Sequence, residues 1–238
     1  MQHSTIILML TAASIGFIHT ILGPDHYVPF IAIAKARDWN MRKTIILTIA
    51  CGIGHVLSSI FLGFIGILIG TSLSKLEFIE SYRGNLAAWV LIVFGFLYMA
   101  WGIKTSFRKK SHTHAHPHES REIHNHGHNH TSTHLHPHLK SNKQSITPWV
   151  LFIIFLLGPC EPLIPLLIVP AINDSGFQAA ILVSIVFSIV TVTTMVITVM
   201  VLFSGLKLVK FNILARYSNA LAGFTIFSSG LAIRFLGL

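Results

Sequence analysis

Charge is what this chain has least of. Only 11% of its 238 residues are Asp, Glu, Lys or Arg, against 53% hydrophobic, and the mean hydropathy is +0.69. A soluble domain carries about 25% charge and shows its apolar residues in periodic stripes. Here they come in continuous blocks longer than the roughly 20 residues that cross a bilayer. This excludes a soluble protein and predicts an integral membrane one. Acidic residues are scarcer still, and cysteine occurs only twice, at Cys51 and Cys160, so a thiol-based chemistry has one thiol in each half to work with. No Lys or Arg precedes Lys35, so the first apolar stretch lacks the basic start of a cleaved signal peptide and is expected to be retained.

The hydropathy pattern predicts six spans, over residues 4–34 (broken near Gly23-Pro24), 44–71, 86–104, 147–172, 178–204 and 219–237. Lys35, Arg37, Arg42 and Lys43 follow the first span, seven Lys and Arg lie in 104–146, and Lys207, Lys210 and Arg216 follow the fifth. The other two loops are balanced or acidic: Lys75 and Arg83 offset Glu77 and Glu80, and Asp174 stands alone. Positive loops stay inside. The expected location is therefore the plasma (inner) membrane, with both termini outside and the long middle loop cytoplasmic. Topology and anionic lipid account for the net charge of +9 without nucleic-acid binding.

One phrase occurs twice, as Leu22-Gly23-Pro24-Asp25-His26 and as Leu157-Gly158-Pro159-Cys160-Glu161. Proline removes a backbone donor and clashes one turn back, so each copy breaks a helix. Pro24 denies the carbonyl of Thr20 its helical partner, and Pro159 does the same for Phe155. An odd number of spans per half turns the second half upside down. The expected fold is thus all-α, with six transmembrane helices as two inverted three-helix repeats whose first and fourth helices are broken. The repeats cover 1–104 and 147–238, and 105–146 joins them.

Ionisable residues at membrane depth are costly and usually functional. They are His19, Asp25, His26, His55 and Glu161, with Cys160 as a soft neighbour. Imidazole, carboxylate and thiolate suit first-row divalent metals, so these six are the expected metal ligands. On an unbroken helix His19 and His26 would lie about 10 Å apart along the axis; the Gly23-Pro24 break shortens or redirects that path. Asp25, His26 and Glu161 are also candidates for proton exchange, because ligands must be deprotonated to bind.

The joining segment holds eleven more histidines: His112, His114, His116, His118, His124, His126, His128, His130, His134, His136 and His138. A tract of this composition has nothing with which to build a core and reads as a disordered, metal-collecting loop.

His19, five residues, then Asp25-His26 resembles the His-x4-Asp-His signature of the nickel/cobalt transporter families. Gly54-His55-Val56-Leu57-Ser58 resembles their Leu-Gly-His-Ser/Thr block, and Gly158-Pro159-Cys160-Glu161 is similar to their third motif. Urease-accessory-like membrane proteins share this core. The resemblance implies a secondary transporter of divalent ions, nickel or cobalt first, with the metal as cargo and no prosthetic group, and not an enzyme. The cytosolic histidines tip the expectation toward efflux. Two alternatives stand beside it. One is a zinc or other metal transporter supplying a metalloenzyme; the other is a membrane thiol-disulfide electron carrier, which shares the inverted layout and would use Cys51 and Cys160.

Overall fold

Pro24 has no amide hydrogen with which to continue a helix. In the computed structural model, which describes residues 2–108, 112–117, 123–128, 147–172, 176–208 and 217–237, the first helix accordingly stops just short of it. Helix α1 runs Gln2–Leu22, a single 3-10 turn covers Pro24–His26, and α2 resumes at Val28–Ala36. Asn40 then caps α3, Met41–Leu68, its side chain accepting from the Lys43 amide at 2.8 Å. Helix α4 is Leu73–Arg108. The second half repeats the pattern: α5, Thr147–Leu157, breaks at Gly158-Pro159 and restarts as α6, Leu163–Ile172. Helices α7, Gly176–Leu208, and α8, Ser218–Leu236, follow. Between the halves two short strands, β1 (His112–Pro117) and β2 (Ile123–His128), pair antiparallel.

The membrane part is all helical. Among the described residues, five helices are long and apolar enough to span a bilayer: Thr5–Leu22, Met41–Leu68, Leu73–Phe107, Gly176–Leu206 and Ser218–Leu236. The expected fourth span is instead two helices of 11 and 10 residues, each too short to cross alone. The expected third span, 86–104, grows to the 36 residues of α4 and takes in Lys75, Glu77, Glu80 and Arg83, read above as a loop. Lys, Glu and Arg are good helix formers, and the Glu80–Arg83 pair closes one turn at 2.7 Å.

Packing joins α4 to α8, α1 to α7, α3 to α7, α6 to α7, α2 to α8 and α3 to both α5 and α6. Phe61, Phe96 and Ile189 are each more than half exposed on the outer face, as lipid contact requires. The tightest seam is α4 on α8, where backbones touch: a Cβ on Gly95 would strike the backbone of Phe227, one on Gly102 that of Ala220, and one on Gly223 that of Met99. Small residues of this kind let helices approach where lipid offers no hydrophobic drive.

Arg37, just past α2, ties four helices together. Its Nε donates to the Tyr98 hydroxyl at 3.1 Å and a terminal nitrogen to Thr147 Oγ1 at 3.2 Å, while Tyr98 donates to Asn219 Oδ1 at 3.1 Å. The Arg37 guanidinium also lies over the Trp101 ring, 5.6 Å from its centroid.

Gly223→Leu drives a side chain into the α4 backbone and is expected to lower stability by about 1–3 kcal/mol, as overpacking does. Thermal unfolding in detergent measures it, with Gly205→Leu, at a site open on all sides, as the unaffected control.

Candidate functional site at the broken helices

The first break positions two side chains at once. The Gly23 amide closes α1 onto His19 O at 3.0 Å, and the following turn brings the His26 amide onto Gly23 O at 3.1 Å. His26 is thereby folded back toward His19, with ring centroids 4.9 Å apart. Gly23 has no tolerated substitute here, because a Cβ would lie 2.5 Å from His26 Nδ1 and 2.9 Å from Asp25 Oδ1. From mid-α3, His55 completes the group, its ring 5.1 Å from that of His26 and stacked at 6.4 Å on that of His19. One ligand atom from each of the three lies within 4.8 Å of the others.

The outer nitrogens of two of these rings are spoken for. His26 Nδ1 lies 3.1 Å from both Gly23 O and Asp25 Oδ1, and His55 Nδ1 lies 3.4 Å from Phe155 O. An Nδ1–H donating to these oxygens leaves each Nε2 with a free lone pair directed inward. The Nε2 atoms of His19, His26 and His55 are all buried and have no hydrogen-bond partner. This is how metal-binding imidazoles are held, with the far nitrogen oriented by a carbonyl or carboxylate. Beside them a cavity of about 30 Å³, lined by Asp25, His55, Gly84, Phe155, Gly158 and Pro159 among others, has room for a water or one ion.

The second break makes different use of its freed backbone. Phe155 O, denied its partner by Pro159, faces His55. Leu156 O accepts from Arg83 at 3.0 Å, and the Cys160 amide donates to Ser59 Oγ at 3.2 Å. Arg83 also donates to Ser58 Oγ at 2.8 Å and to Glu80 Oε1 at 2.7 Å, where the Glu80 side chain is fully buried and its Oε2 unpartnered.

The structure therefore brings His19, Asp25, His26 and His55 together. Cys160 is buried with its amide on Ser59, and Glu161 is exposed. Cys51 and Cys160 are both free and buried. Cys51 precedes Ser59 by eight residues on α3, about 12 Å along its axis, so the cysteines stand at levels too far apart for a disulfide. Glu80 and Arg83 were missed because a balanced charge pair in a short apolar gap reads as loop; the signal available was their i, i+3 spacing. Of the tract histidines, 118, 130, 134, 136 and 138 lie outside the described residues.

This is a multi-pass helical membrane protein whose polar centre is built from two interrupted helices. Residues 28–231 match the family model described as cytochrome C biogenesis protein transmembrane region, and the chain belongs to that family. No curated protein and no solved structure matches it. The family assignment corrects the resemblance drawn from the motifs: the chain is not a member of the nickel/cobalt transporter families. The expectation of nickel or cobalt transport, in either direction, falls with it, because the matched family points to thiol-disulfide electron transfer. The motif resemblance rested on short blocks, and His19, Asp25 and His26 precede the matched stretch. Such blocks report metal-capable side chains, whereas the family match follows the chain from α2 through most of α8.

Arg83→Ala would leave the buried Glu80 carboxylate uncompensated and strip Leu156 O of its donor. A loss of about 3–5 kcal/mol is expected. Adding Glu80→Gln should recover part of it, which thermal unfolding of the single and double variants would measure.

Proposed function

We propose that this chain carries reducing equivalents across the membrane by thiol-disulfide exchange, with Cys51 and Cys160 as its thiols. The observation that carries this reading is the family match, which spans both cysteines, one in each half. The present arrangement corresponds to the reduced form. Oxidation removes a proton from each thiol and joins the sulfurs, and the two electrons reduce a disulfide of a partner protein to a dithiol. Joining them requires the non-helical segment between α5 and α6 to move along α3. That segment is suited to movement, because it is anchored by side-chain bonds from Ser59 and Arg83 instead of a continuous helical ladder. The protein on this reading is a carrier and not an enzyme with a substrate of its own.

Two features support an inverted repeat. The helix pairings survive exchange of the halves: α1 with α7 answers α5 with α3, and α4 with α8 and α3 with α7 map onto themselves. The bonds of Arg37 gather the end of α2, the later part of α4 and the starts of α5 and α8 on one side. That side carries the basic loops, which supports the reading of a plasma-membrane protein with this side in the cytoplasm and both termini outside.

A second assignment rests on the three unpartnered imidazole nitrogens. His19, His26 and His55, with Asp25 behind His26, hold one resident first-row transition-metal ion. When bound it supplies a fixed positive charge beside the breaks. The chain's own part is to orient the rings through Gly23 O, Asp25 and Phe155 O and to exclude lipid and water.

Acid-quenched cells treated with a maleimide polymer report the thiols directly. Both cysteines should be modified in reduced cells and neither after oxidation, with Cys160→Ser leaving Cys51 modified in both states. Persistent double modification under oxidant would overturn the carrier reading. Metal analysis of the purified protein tests the imidazoles separately: His26→Ala should lose one equivalent relative to wild type.

A further inference from the structure

The first turn of α3 carries Arg42 and Lys43 side by side, both exposed. Ile46, Leu47 and Ala50 follow Lys43 at i+3, i+4 and i+7 and so continue its face of the helix. With Asn40 ahead of them and Pro148 from the start of α5 beside them, these residues line a hollow of about 380 Å³. That volume lies in the range of small-molecule sites, about 300–1,000 Å³. Ala50 stands about 10 Å further along the helix axis than Lys43, so the hollow begins between two cations and runs on over apolar side chains. Ile46 is 57% exposed, so the bundle leaves this wall uncovered. Among the described residues no acid lines it, and Asp38, the acid nearest in sequence, lines a neighbouring hollow with Lys35. The Lys43 ammonium is held 4.5 Å from the centre of the Trp39 ring. Trp149, exposed beside Pro148, is the kind of residue found where headgroups meet acyl chains.

We propose that this hollow is a binding site for one anionic phospholipid, its phosphate between Arg42 and Lys43 and an acyl chain along Ile46, Leu47 and Ala50. The bilayer is what covers the outer face of a membrane protein, and the hollow selects within it. Two cations attract a headgroup of net negative charge and repel the ammonium of a zwitterionic one. Arg42 brings a planar fork that matches two phosphate oxygens, and Lys43 a point charge. Net charge by itself assigns no lipid to any position; two cations at the mouth of an apolar hollow do. The site lies apart from the broken helices and depends on neither the thiol reading nor the imidazole cluster.

Native mass spectrometry of the full chain in detergent, titrated with phosphatidylglycerol or phosphatidylcholine, tests it. Each cation near a lipid headgroup contributes about fivefold, so wild type should retain one phosphatidylglycerol about 25-fold more tightly than phosphatidylcholine. Arg42→Gln with Lys43→Gln should remove that preference. Lys75→Gln with Lys104→Gln takes away equal charge elsewhere and should leave it intact. Ala50→Phe, at an exposed position, fills the apolar end while keeping both cations and should weaken phosphatidylglycerol about tenfold. Glycerol phosphate, the headgroup without its chains, should not compete. Equal losses in the two charge variants would mean that total charge and not this hollow holds the lipid. Competition by glycerol phosphate would make it a phosphate site, and a dimer dissolved by Ala50→Phe, in place of a bound lipid, would make it a contact between copies. Any of these, or equal retention of the two lipids by wild type, would overturn the proposal.

Discussion

A helix interrupted inside a bilayer leaves peptide groups that lipid cannot solvate, and each must find a partner within the protein. At the second break three such groups are met by side chains from other helices. His55 of α3 faces Phe155 O, Arg83 of α4 holds Leu156 O, and Ser59 of α3 takes the Cys160 amide. The first break is met from within: Gly23 O serves both the amide and the ring of His26. The polar centre exists because the backbone was broken twice and the second break is repaired from α3 and α4.

That repair explains why so many titratable groups sit together at this depth. His55 and Arg83 are needed for satisfaction of the break whatever else they do. Once Nδ1 of His55 is turned to Phe155 O, its Nε2 points away from the break and toward His26 and His19. The imidazole cluster is therefore a consequence of backbone repair, available for binding. The same repairs hold Cys160 against Ser59 and away from Cys51, so the bonds that stabilise the break also keep the two thiols apart.

Much of this was legible in the residues. Low charge, long apolar runs and the basic loops predict a multi-pass membrane protein, and the repeated Leu-Gly-Pro predicts both breaks to within a residue or two. His19, Asp25, His26 and His55 were nominated because ionisable groups at membrane depth are costly. The family was misread, because the motifs nearest the metal-like residues were weighed above the arrangement of the two cysteines. The third span was also misread: its first turns carry Lys75, Glu77, Glu80 and Arg83, and these charges interrupt the apolar run, so the span reads as starting at 86. Only the packed bundle turns Glu80 and Arg83 into a buried pair beside the break.

By itself the sequence determined that the chain crosses the membrane several times and where it must break, since Pro lacks an amide hydrogen in any fold and apolar runs of this length have no other solvent. Only the tertiary structure decided which groups repair those breaks. Whether His55 meets His19 and His26, whether Glu161 faces outward, and whether two thiols are within reach depend on how α3 and α4 lie against the first break and against α5 and α6. That is a matter of helix packing between residues some hundred positions apart in the chain, which local propensity does not encode.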